Sequence, residues 1–401
     1  MASSHSATFP EVWDKAYQME FDNINVARQV ADTSKEKLLT VGDTLHRQYG
    51  SQLVAQTVTR GTDMTVSDLT DTDESMTIDY EKGIIFPVHN FDKTQSNLDI
   101  AAHYGKRAAQ AMSEEIDAVV LGAVFNADTT LDAGDFGGTA GNGISVTTSN
   151  VAELFSKSTK SLGKLNVPES DRVAIISYDL EEVMSNLVTG RETVQGDAKL
   201  LGMNKFMGFF NGYKIFKSNQ TATSARWTPA DQPTTGATIT IEGVTWQLVT
   251  SIGTAAGNVL VETDTATTLD NLVDAINNPS VTNDKHIAIA NTQPTFAQDK
   301  VATRFTAVDG TTYLDVKVKG AGTITVASSE AADVWSREKQ HLILGNKGFT
   351  TLVEQYKTSN KIKDNPLQDG VRIMSTMIFG EKSFADQDRT MVNVEVDSSS
   401  F

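Results

Sequence analysis

Apolar residues recur at three- and four-residue spacings near the start of the chain. Within residues 11–30 these positions are Trp13, Tyr17, Phe21, Ile24 and Ala27, with charged residues between them. This periodicity predicts an amphipathic helix. The pattern allows two interpretations: a helix packed on its own domain, or an arm that docks on a neighbouring subunit through Trp13 and Phe21.

Residues 52–89 show a different pattern, in which β-branched and polar residues alternate around an acidic centre. The alternation predicts two strands, whose signals are Val54, Thr57 and Val58 on one flank and Met76, Ile78 and Tyr80 on the other. Between the flanks, one cation, Arg60, accompanies five acidic residues: Asp63, Asp68, Asp71, Asp73 and Glu74. Because no position matches the Ca²⁺-loop pattern with its central glycine and closing glutamate, we expect a solvated acidic loop.

The longest periodic stretch follows this loop. Ser96 stands three residues before Asp99, which is typical of a capping box. Apolar or small residues then recur at threes and fours: Leu98, Ala101, Gly105, Ala108, Met112, Ile116 and Val119. Roughly 26 residues at ~1.5 Å each predict a rod of about 39 Å. Lys106 and Arg107 belong to its polar face.

Shorter elements are predicted between residues 150 and 217. A helix begins at Asn150 and ends before Pro168, because proline disfavours helical geometry in the residue before it. Residues 172–177 read as a buried strand, and a further helix is capped at Asp179. The pair Asn211-Gly212 predicts a tight hairpin, since these residues tolerate the positive φ angles of a type I′ turn.

The composition changes at about Thr221, where Thr, Ala, Val and Gly become frequent up to residue 335. Strands are predicted at 238–249, 258–262, 313–320 and 323–328, and a helix at 269–276. The stretch reads as a self-contained β-rich domain inserted into a larger one, since insertions are tolerated where the two connections lie close together. After residue 340 the pattern predicts three terminal strands, at 371–380, 382–386 and 390–397.

Composition narrows the possible functions. The 401-residue chain has no cysteine, which excludes disulfides, thiolate metal sites and cysteine nucleophiles. Its formal net charge of −17 argues against broad binding to nucleic acid or to an anionic membrane. The N-terminus lacks a secretory signal pattern, and no run approaches ~18 consecutive apolar residues. We expect a soluble chain made in the cytoplasm.

The sequence offers little catalytic chemistry. Residues 138–143, GTAGNG, lack the strand and helix that flank a dinucleotide-binding loop, and no phosphate loop or G-x-S-x-G elbow is present. The six histidines are scattered, and the neighbours Glu114 and Glu115 point to different faces of a helix. We therefore expect no enzyme activity, no catalytic residue, no cofactor and no bound metal.

The order of the elements is similar to that of the major capsid proteins of tailed bacteriophages, which share the Hong Kong 97 fold. Residues 76–121 resemble the return strand of that family's extended loop and its spine helix. LGKLNVPESDRVAIIS, GMNKFMGFFNGYKIFKSN and MIFGEKSF resemble later segments. The resemblance implies an α+β fold divided into an N-terminal arm (1–45), an extended β loop (46–90), a peripheral domain with the spine helix and the first part of the axial domain (91–220), the inserted β-rich domain (221–335) and the remaining axial and peripheral parts (336–401).

The same resemblance implies a structural protein. Family members assemble into the pentamers and hexamers of an icosahedral shell around double-stranded DNA, in the host cytoplasm, with scaffold, portal and sometimes decoration proteins as partners. The acidic loop would then meet a neighbour's spine helix, with Lys106 and Arg107 as candidate partners for Asp63, Asp68, Asp71, Asp73 and Glu74, and with Arg60 at the same interface. Family members that cross-link covalently use a loop lysine, and this chain has none between Arg60 and Glu81, so cross-linking is not expected. The sequence leaves two alternatives open: the shell of a bacterial encapsulating compartment, and a tail or flagellar structural protein.

Overall fold

The computed structural model describes residues 26–37, 42–50, 55–61, 63, 66, 69–89, 100–189, 208–292, 295–330, 332–364 and 370–398. Within this part of the chain the α-helices are α1 (Ala27–Val30), α2 (Ile100–Leu121), α3 (Val151–Lys164), α4 (Tyr178–Thr189), α5 (Thr265–Asn277), α6 (Ala297–Arg304) and α7 (Ala385–Asp388). The predicted N-terminal helix, including Trp13 and Phe21, lies outside the described residues except at its end.

The strands in the first half of the chain are β1 (Thr44–Gly50), β2 (Asp71–Thr77), β3 (Tyr80–His89), β4 (Thr129–Leu131), β5 (Arg172–Ile176), β6 (Phe209–Phe210), β7 (Tyr213–Lys217), β8 (Ala222–Thr228), β9 (Thr238–Ile241) and β10 (Val244–Val249). Those in the second half are β11 (Asn258–Leu260), β12 (Phe305–Asp309), β13 (Leu314–Val318), β14 (Val326–Ser328), β15 (Val334–Asn346), β16 (Thr351–Asp364), β17 (Gly370–Lys382) and β18 (Met391–Asp397).

Strand β15 joins the two largest parts of the molecule. Along one edge its first half pairs with β8 and its last residues pair with β5, while β18 pairs along the other edge. The resulting sheet runs β12-β13-β8-β15-β5-β7-β6. One hydrophobic core, around Trp227 and Trp246, fills the 221–335 segment, and a second, around Phe155 and Tyr213, lies under α3. Residues 221–335, predicted as an insertion and called the inserted segment below, therefore have their own core and also extend this sheet, which we call the central sheet.

Helix α2 lies against a second sheet of long strands in the order β16-β17-β3. Ile116 and Val119 of α2 are buried in one cluster with Leu352 and Phe379 of that sheet. The predicted apolar stripe is confirmed over the described part of the helix. Its 22 residues span about 33 Å, and the predicted cap at Ser96 lies outside the described residues.

Several local predictions are confirmed. Asn211 and Gly212 have φ angles of 47° and 86°, as the β6–β7 hairpin requires. All five residues of β5 are buried, and Asn150 occupies the N-cap of α3. The strands and the helix predicted within 238–328 also form.

Two local predictions are wrong. The first strand of the extended hairpin is Thr44–Gly50, while residues 55–59 are not in a strand. The alternation of polar and β-branched residues continues beyond the paired segment, so sequence pattern alone placed the strand too late. Residues 385–388 form a short helix instead of a strand, because the side chain of Gln387 accepts the N–H of Phe384 and closes a turn.

None of the described helices combines the length and the apolar content that a membrane crossing requires.

Candidate assembly surface

Strands β1 and β2 form a two-stranded antiparallel ribbon that is anchored at one end. The ends of the two strands pair as Thr44 with Thr77 and Gly50 with Asp71. At the anchored end Met76 is buried against Phe384. Arg47 pairs with Asp386 at 2.5 Å, and this hydrogen bond raises the pKa of the guanidinium group. The base of the ribbon is therefore fixed to the body of the molecule.

The far end of the ribbon exposes large apolar side chains. Val58, Val66 and Leu69 are 65%, 87% and 72% exposed. Arg60 and Asp63 are exposed at the same end. Because a two-stranded ribbon buries little of its own surface, apolar residues in this position lose contact with water only when another surface covers them.

The acidic residues of the ribbon fall into two groups. Asp63 and Asp71 are exposed. Asp73 binds His46, with 2.8 Å between Oδ2 and Nδ1, and half-buried Glu74 accepts the N–H of Ala385 at 3.2 Å. Asp68 lies outside the described residues. Asp63 and Asp71 are thus the described acids best placed to meet a neighbour, whereas Asp73 and Glu74 have partners within the chain.

Lys106 and Arg107 are exposed on α2, as the helical periodicity predicts. The buried residues Gly105 and Ala108 flank them, so the two cations project from the side of the helix that does not face the sheet. Lys106 forms no ion pair with any described residue of its own chain.

A largely buried carboxylate joins the inserted segment to α2. Glu115 Oε1 lies 3.3 Å from Lys82 Nζ of β3, and Glu115 Oε2 lies 3.1 Å from Arg304 Nε of α6. Lys82 also donates to the hydroxyl of Thr303 at 2.6 Å. Burial works to raise the pKa of Glu115, but the charges of Arg304 and Lys82 outweigh it and hold the pKa below its usual range. We call Lys82, Glu115 and Arg304 the junction cluster.

The backbones also approach closely at this junction. A Cβ atom at Gly320 would lie 2.2 Å from the Cβ of Ala118 on α2. Lys319 passes over Gly122, where a Cβ would lie 2.5 Å from its side chain. Because an added Cβ at Gly320 would collide with the backbone of Ala118, the inserted segment is seated directly on the end of the long helix.

A second carboxylate of α2 holds the N-terminal part of the described chain. Asp117 accepts the N–H groups of Val26 and Ala27 at 3.1 and 2.9 Å, and so caps α1 from 90 residues away. Burial raises the pKa of Asp117 to about 6, although these two hydrogen bonds act in the opposite direction. The start of α1 is therefore tied to the long helix by a carboxylate in a poorly hydrated place.

Sequence reasoning missed the junction cluster and Asp117. Glu114 and Glu115 do point to different sides, as expected: Glu114 accepts a hydrogen bond from Gln110, and Glu115 faces the inserted segment. The sequence contained one indication of these contacts: Glu115 and Asp117 lie among the apolar residues of α2, where a buried charge needs a partner. The part of the chain that the structure describes contains no group of three or more His, Asp or Glu residues placed to hold a metal ion.

No protein-family model matches the chain, and neither does any curated protein. Solved structures do match. A structure from Mycobacterium phage Che8 aligns over 97% of both chains with a TM-score of 0.57 and 16% identity. The capsid structure of cyanophage P-SCSP1u aligns over 97% of this chain and 93% of that one, at 0.52 and 12%. The mature capsid of bacteriophage PhiM1 aligns over 97% and 92%, at 0.50 and 10%.

These alignments cover nearly the whole chain, including the inserted segment, at identities too low to show more than a common architecture. They confirm the fold predicted from the sequence: the chain has the α+β, Hong Kong 97-type fold of phage capsid chains.

Proposed function

We propose that the chain is the major capsid protein of a tailed bacteriophage, a structural protein that assembles into the pentamers and hexamers of an icosahedral shell. The observation that carries the proposal is the match to phage capsid structures along almost the full length of both partners. A partial match could reflect one shared module, whereas agreement over 97% of the chain includes the ribbon, the long helix and the larger sheets.

The shape of the subunit supports an assembling protein. The ribbon is fixed at its base by Met76 and Arg47, and its far end exposes Leu69 and Val66. A protein that acts alone gains little stability from such a ribbon, since the exposed end buries no apolar surface. In a shell, the same residues would be covered by the adjacent subunit.

The positions of charged residues support a contact between the ribbon of one subunit and α2 of its neighbour. Asp63 and Asp71 on the ribbon, with Asp68 from the same stretch, would face Lys106 and Arg107 on a neighbour's α2. Arg60 and the exposed apolar residues would lie at the rim of the contact. Exposed ion pairs contribute only about 0–1 kcal/mol each, so their role would be to orient subunits and to speed their encounter.

The domain that the sequence predicts at residues 221–335 would stiffen the subunit. The junction cluster and the Gly320 contact tie this segment to α2, and β8 pairs with β15. These contacts favour a segment that stiffens the subunit, whichever face of the shell it occupies. We propose that the arm before α1, with Trp13 and Phe21, docks on a neighbouring subunit.

If the chain forms a phage shell, its location, its partner proteins and the enclosed DNA can also be proposed. The chain would be found in the virion after assembly in the host cytoplasm, with scaffold, portal and decoration proteins as partners. The net charge of −17 fits a container that encloses double-stranded DNA without binding its sequence.

Electron microscopy of the purified full-length chain, expressed alone and with its neighbouring genes, tests the proposal. Closed polyhedral particles are the expected result, and packaged DNA inside them would identify a phage shell. Particles filled with protein cargo would instead indicate an encapsulating compartment, and tubes would indicate a tail or flagellar protein. Absence of closed particles under both expression conditions would contradict the proposal.

A further inference from the structure

A cavity of about 150 Å³ lies where the inserted segment meets the central sheet. Its walls come from β8, β13, β15 and β18. The charged side chains that line it are Arg226, Asp315, Lys317, Arg337, Lys339 and Glu395. Four cations therefore face two carboxylates, in a chain whose overall charge is strongly negative.

Both carboxylates are already used. Arg226 donates two hydrogen bonds to Asp315, from Nε to Oδ1 and from Nη2 to Oδ2, each 2.6 Å long. Lys339 pairs with Glu395, and both of these side chains are largely buried. Among the described residues, neither Lys317 nor Arg337 forms an ion pair. The lining of the cavity thus carries two positive charges beyond those paired with its own two carboxylates.

The histidine in the wall does not add to this charge. His341 is fully buried, with Nδ1 3.0 Å from Oδ1 of Asn393 and Nε2 2.8 Å from the hydroxyl of Ser224. Burial lowers the pKa of His341 to about 3, so the ring is neutral at physiological pH. In this state Nδ1 donates to Asn393 and Nε2 accepts from Ser224.

Arg337 lines the cavity from an irregularity in β15. The pairing of β15 with β8 shifts register between Ser336 and Lys339, and within this bulge Arg337 has a φ of 54°. An arginine has no intrinsic preference for the left-handed region, so the bulge imposes this backbone conformation on Arg337. Bulges characteristically change the direction of a side chain. The guanidinium group lies against the backbone of Gly141, where an added Cβ would be 3.0 Å from Nη1. The backbone of Gly141 therefore limits the positions open to the guanidinium group.

We propose that this cavity binds a phosphate group through Arg337 and Lys317. A guanidinium group and an ammonium group on opposite walls offer several charge-assisted hydrogen bonds to a dianion. The two existing ion pairs hold Arg226 and Lys339 in place and occupy the two carboxylates of the lining. Arg337 also lines an adjoining cavity that contains Glu338 and Asp397, so the ligand would occupy the cavity lined by Lys317, where both carboxylates already have partners.

The experiment compares two sources of a phosphate group with the full-length chain. Inorganic phosphate is titrated by calorimetry at constant ionic strength maintained with chloride, and a short duplex DNA is titrated in parallel. We expect the wild-type chain to bind at least one of them with a saturable heat. Binding of inorganic phosphate would assign a free anion, and binding of the duplex alone would assign a nucleic-acid backbone.

Three variants identify the site. Arg337→Asn removes the charge and places a residue that tolerates a positive φ, so loss of the fold is not expected. Arg337→Asn and Lys317→Gln should each weaken binding about tenfold, the effect of one charge-assisted contact. Lys285→Gln removes an exposed cation of the same inserted segment, away from the cavity, and should bind like wild type. The proposal is wrong if wild type binds neither ligand, or if all three variants bind with wild-type affinity.

Discussion

Arg304 forms a largely buried ion pair with Glu115, from a position 189 residues later in the chain. One residue belongs to the inserted segment and the other to the long helix, and Lys82 approaches the same carboxylate from β3. Three parts of the subunit that differ in sequence position and in secondary structure therefore depend on one carboxylate. This arrangement makes the junction a mechanical coupling between the inserted segment, α2 and β3.

Removing either partner of this pair should destabilise the subunit. Arg304→Gln leaves the buried carboxylate with Lys82 alone, and Glu115→Gln leaves two cations facing each other. We expect each substitution to lower the free energy of unfolding by about 2–3 kcal/mol, because a buried charge loses its partner. Urea denaturation followed by circular dichroism measures the change.

The exposed Lys160 of α3 supplies the control, since Lys160→Gln should change the free energy by less than about 0.5 kcal/mol. In the Glu115→Gln, Arg304→Gln double variant the two effects should fail to add by at least about 1 kcal/mol. Strict additivity would show that the pair does not act as a unit.

Gly320 provides a steric test of the same junction. Gly320→Ala places a methyl group 2.2 Å from the Cβ of Ala118 and 2.8 Å from its Cα, so the inserted segment must move away from the helix. We expect a loss of at least about 3 kcal/mol in the free energy of unfolding, which combines overpacking with the strain of a φ of +69°.

Gly243→Ala is the matched control for this substitution. Gly243 has a φ of +77° and no atom within 4 Å of an added Cβ, so only the backbone strain of about 1–2 kcal/mol applies. Equal losses in the two alanine variants would mean that the contact with Ala118 contributes nothing.

The carboxyl of Asp117 should make stability depend on pH. Its pKa is about 6 in the folded chain and about 3.9 in the unfolded chain, so between these values the folded state binds more protons. Stability from this group is therefore greatest below pH 4 and declines as the pH rises to 6, by up to about 3 kcal/mol.

The difference between wild type and Asp117→Asn isolates this dependence from other titrating groups. The free energy of unfolding of the variant should lack the decline between pH 4 and 6. Asparagine keeps only one acceptor oxygen for the N–H groups of Val26 and Ala27, so hydrogen exchange at one of these amides should accelerate. Parallel pH profiles for the two proteins would contradict the assignment.

The residues predicted well from sequence are those whose structure depends on close neighbours. Asn211 and Gly212 set their turn through their own backbone preferences, and Asn150 marks a helix start that the following residues complete. Glu115 was visible as a charge near an apolar stripe, but its partner Arg304 was not, because nothing local specifies a contact between α6 and α2. The strand at 44–50 was missed for a related reason: its limits are set by pairing with 71–77, which lies beyond an intervening loop.

The cations of α2 should govern assembly more than stability. Lys106→Glu with Arg107→Glu reverses two exposed charges and should change the free energy of unfolding by less than about 1 kcal/mol. If the acids of a neighbour's ribbon face them, like charges then meet, and shells should form at least about tenfold more slowly at low salt, with partial recovery at high salt. Light scattering and electron microscopy measure the rate and the product.

A variant with the same change in net charge, Lys160→Glu with Lys285→Glu, controls for general repulsion between subunits. Both lysines are exposed, one on α3 and one in the inserted segment. Normal shells formed at normal rates by the Lys106→Glu, Arg107→Glu variant would rule out these ion pairs.

Substitutions at the apolar end of the ribbon should impair assembly without changing the stability of the subunit. Val66 and Leu69 are 87% and 72% exposed in the subunit, so Val66→Ser with Leu69→Ser removes almost no buried surface and should leave the free energy of unfolding within about 0.5 kcal/mol of wild type. If a neighbour covers both side chains in the shell, each subunit loses the burial of two apolar groups, worth about 1.5–3 kcal/mol apiece. Because the loss is repeated in every subunit, we expect stable, soluble subunits that form no closed particles, as measured by sedimentation velocity and electron microscopy.

Val353→Ser, which places a hydroxyl in the buried cluster at the base of the ribbon, should instead lower subunit stability itself. Shells of normal yield from the Val66→Ser, Leu69→Ser variant would show that the exposed end of the ribbon is not an assembly contact.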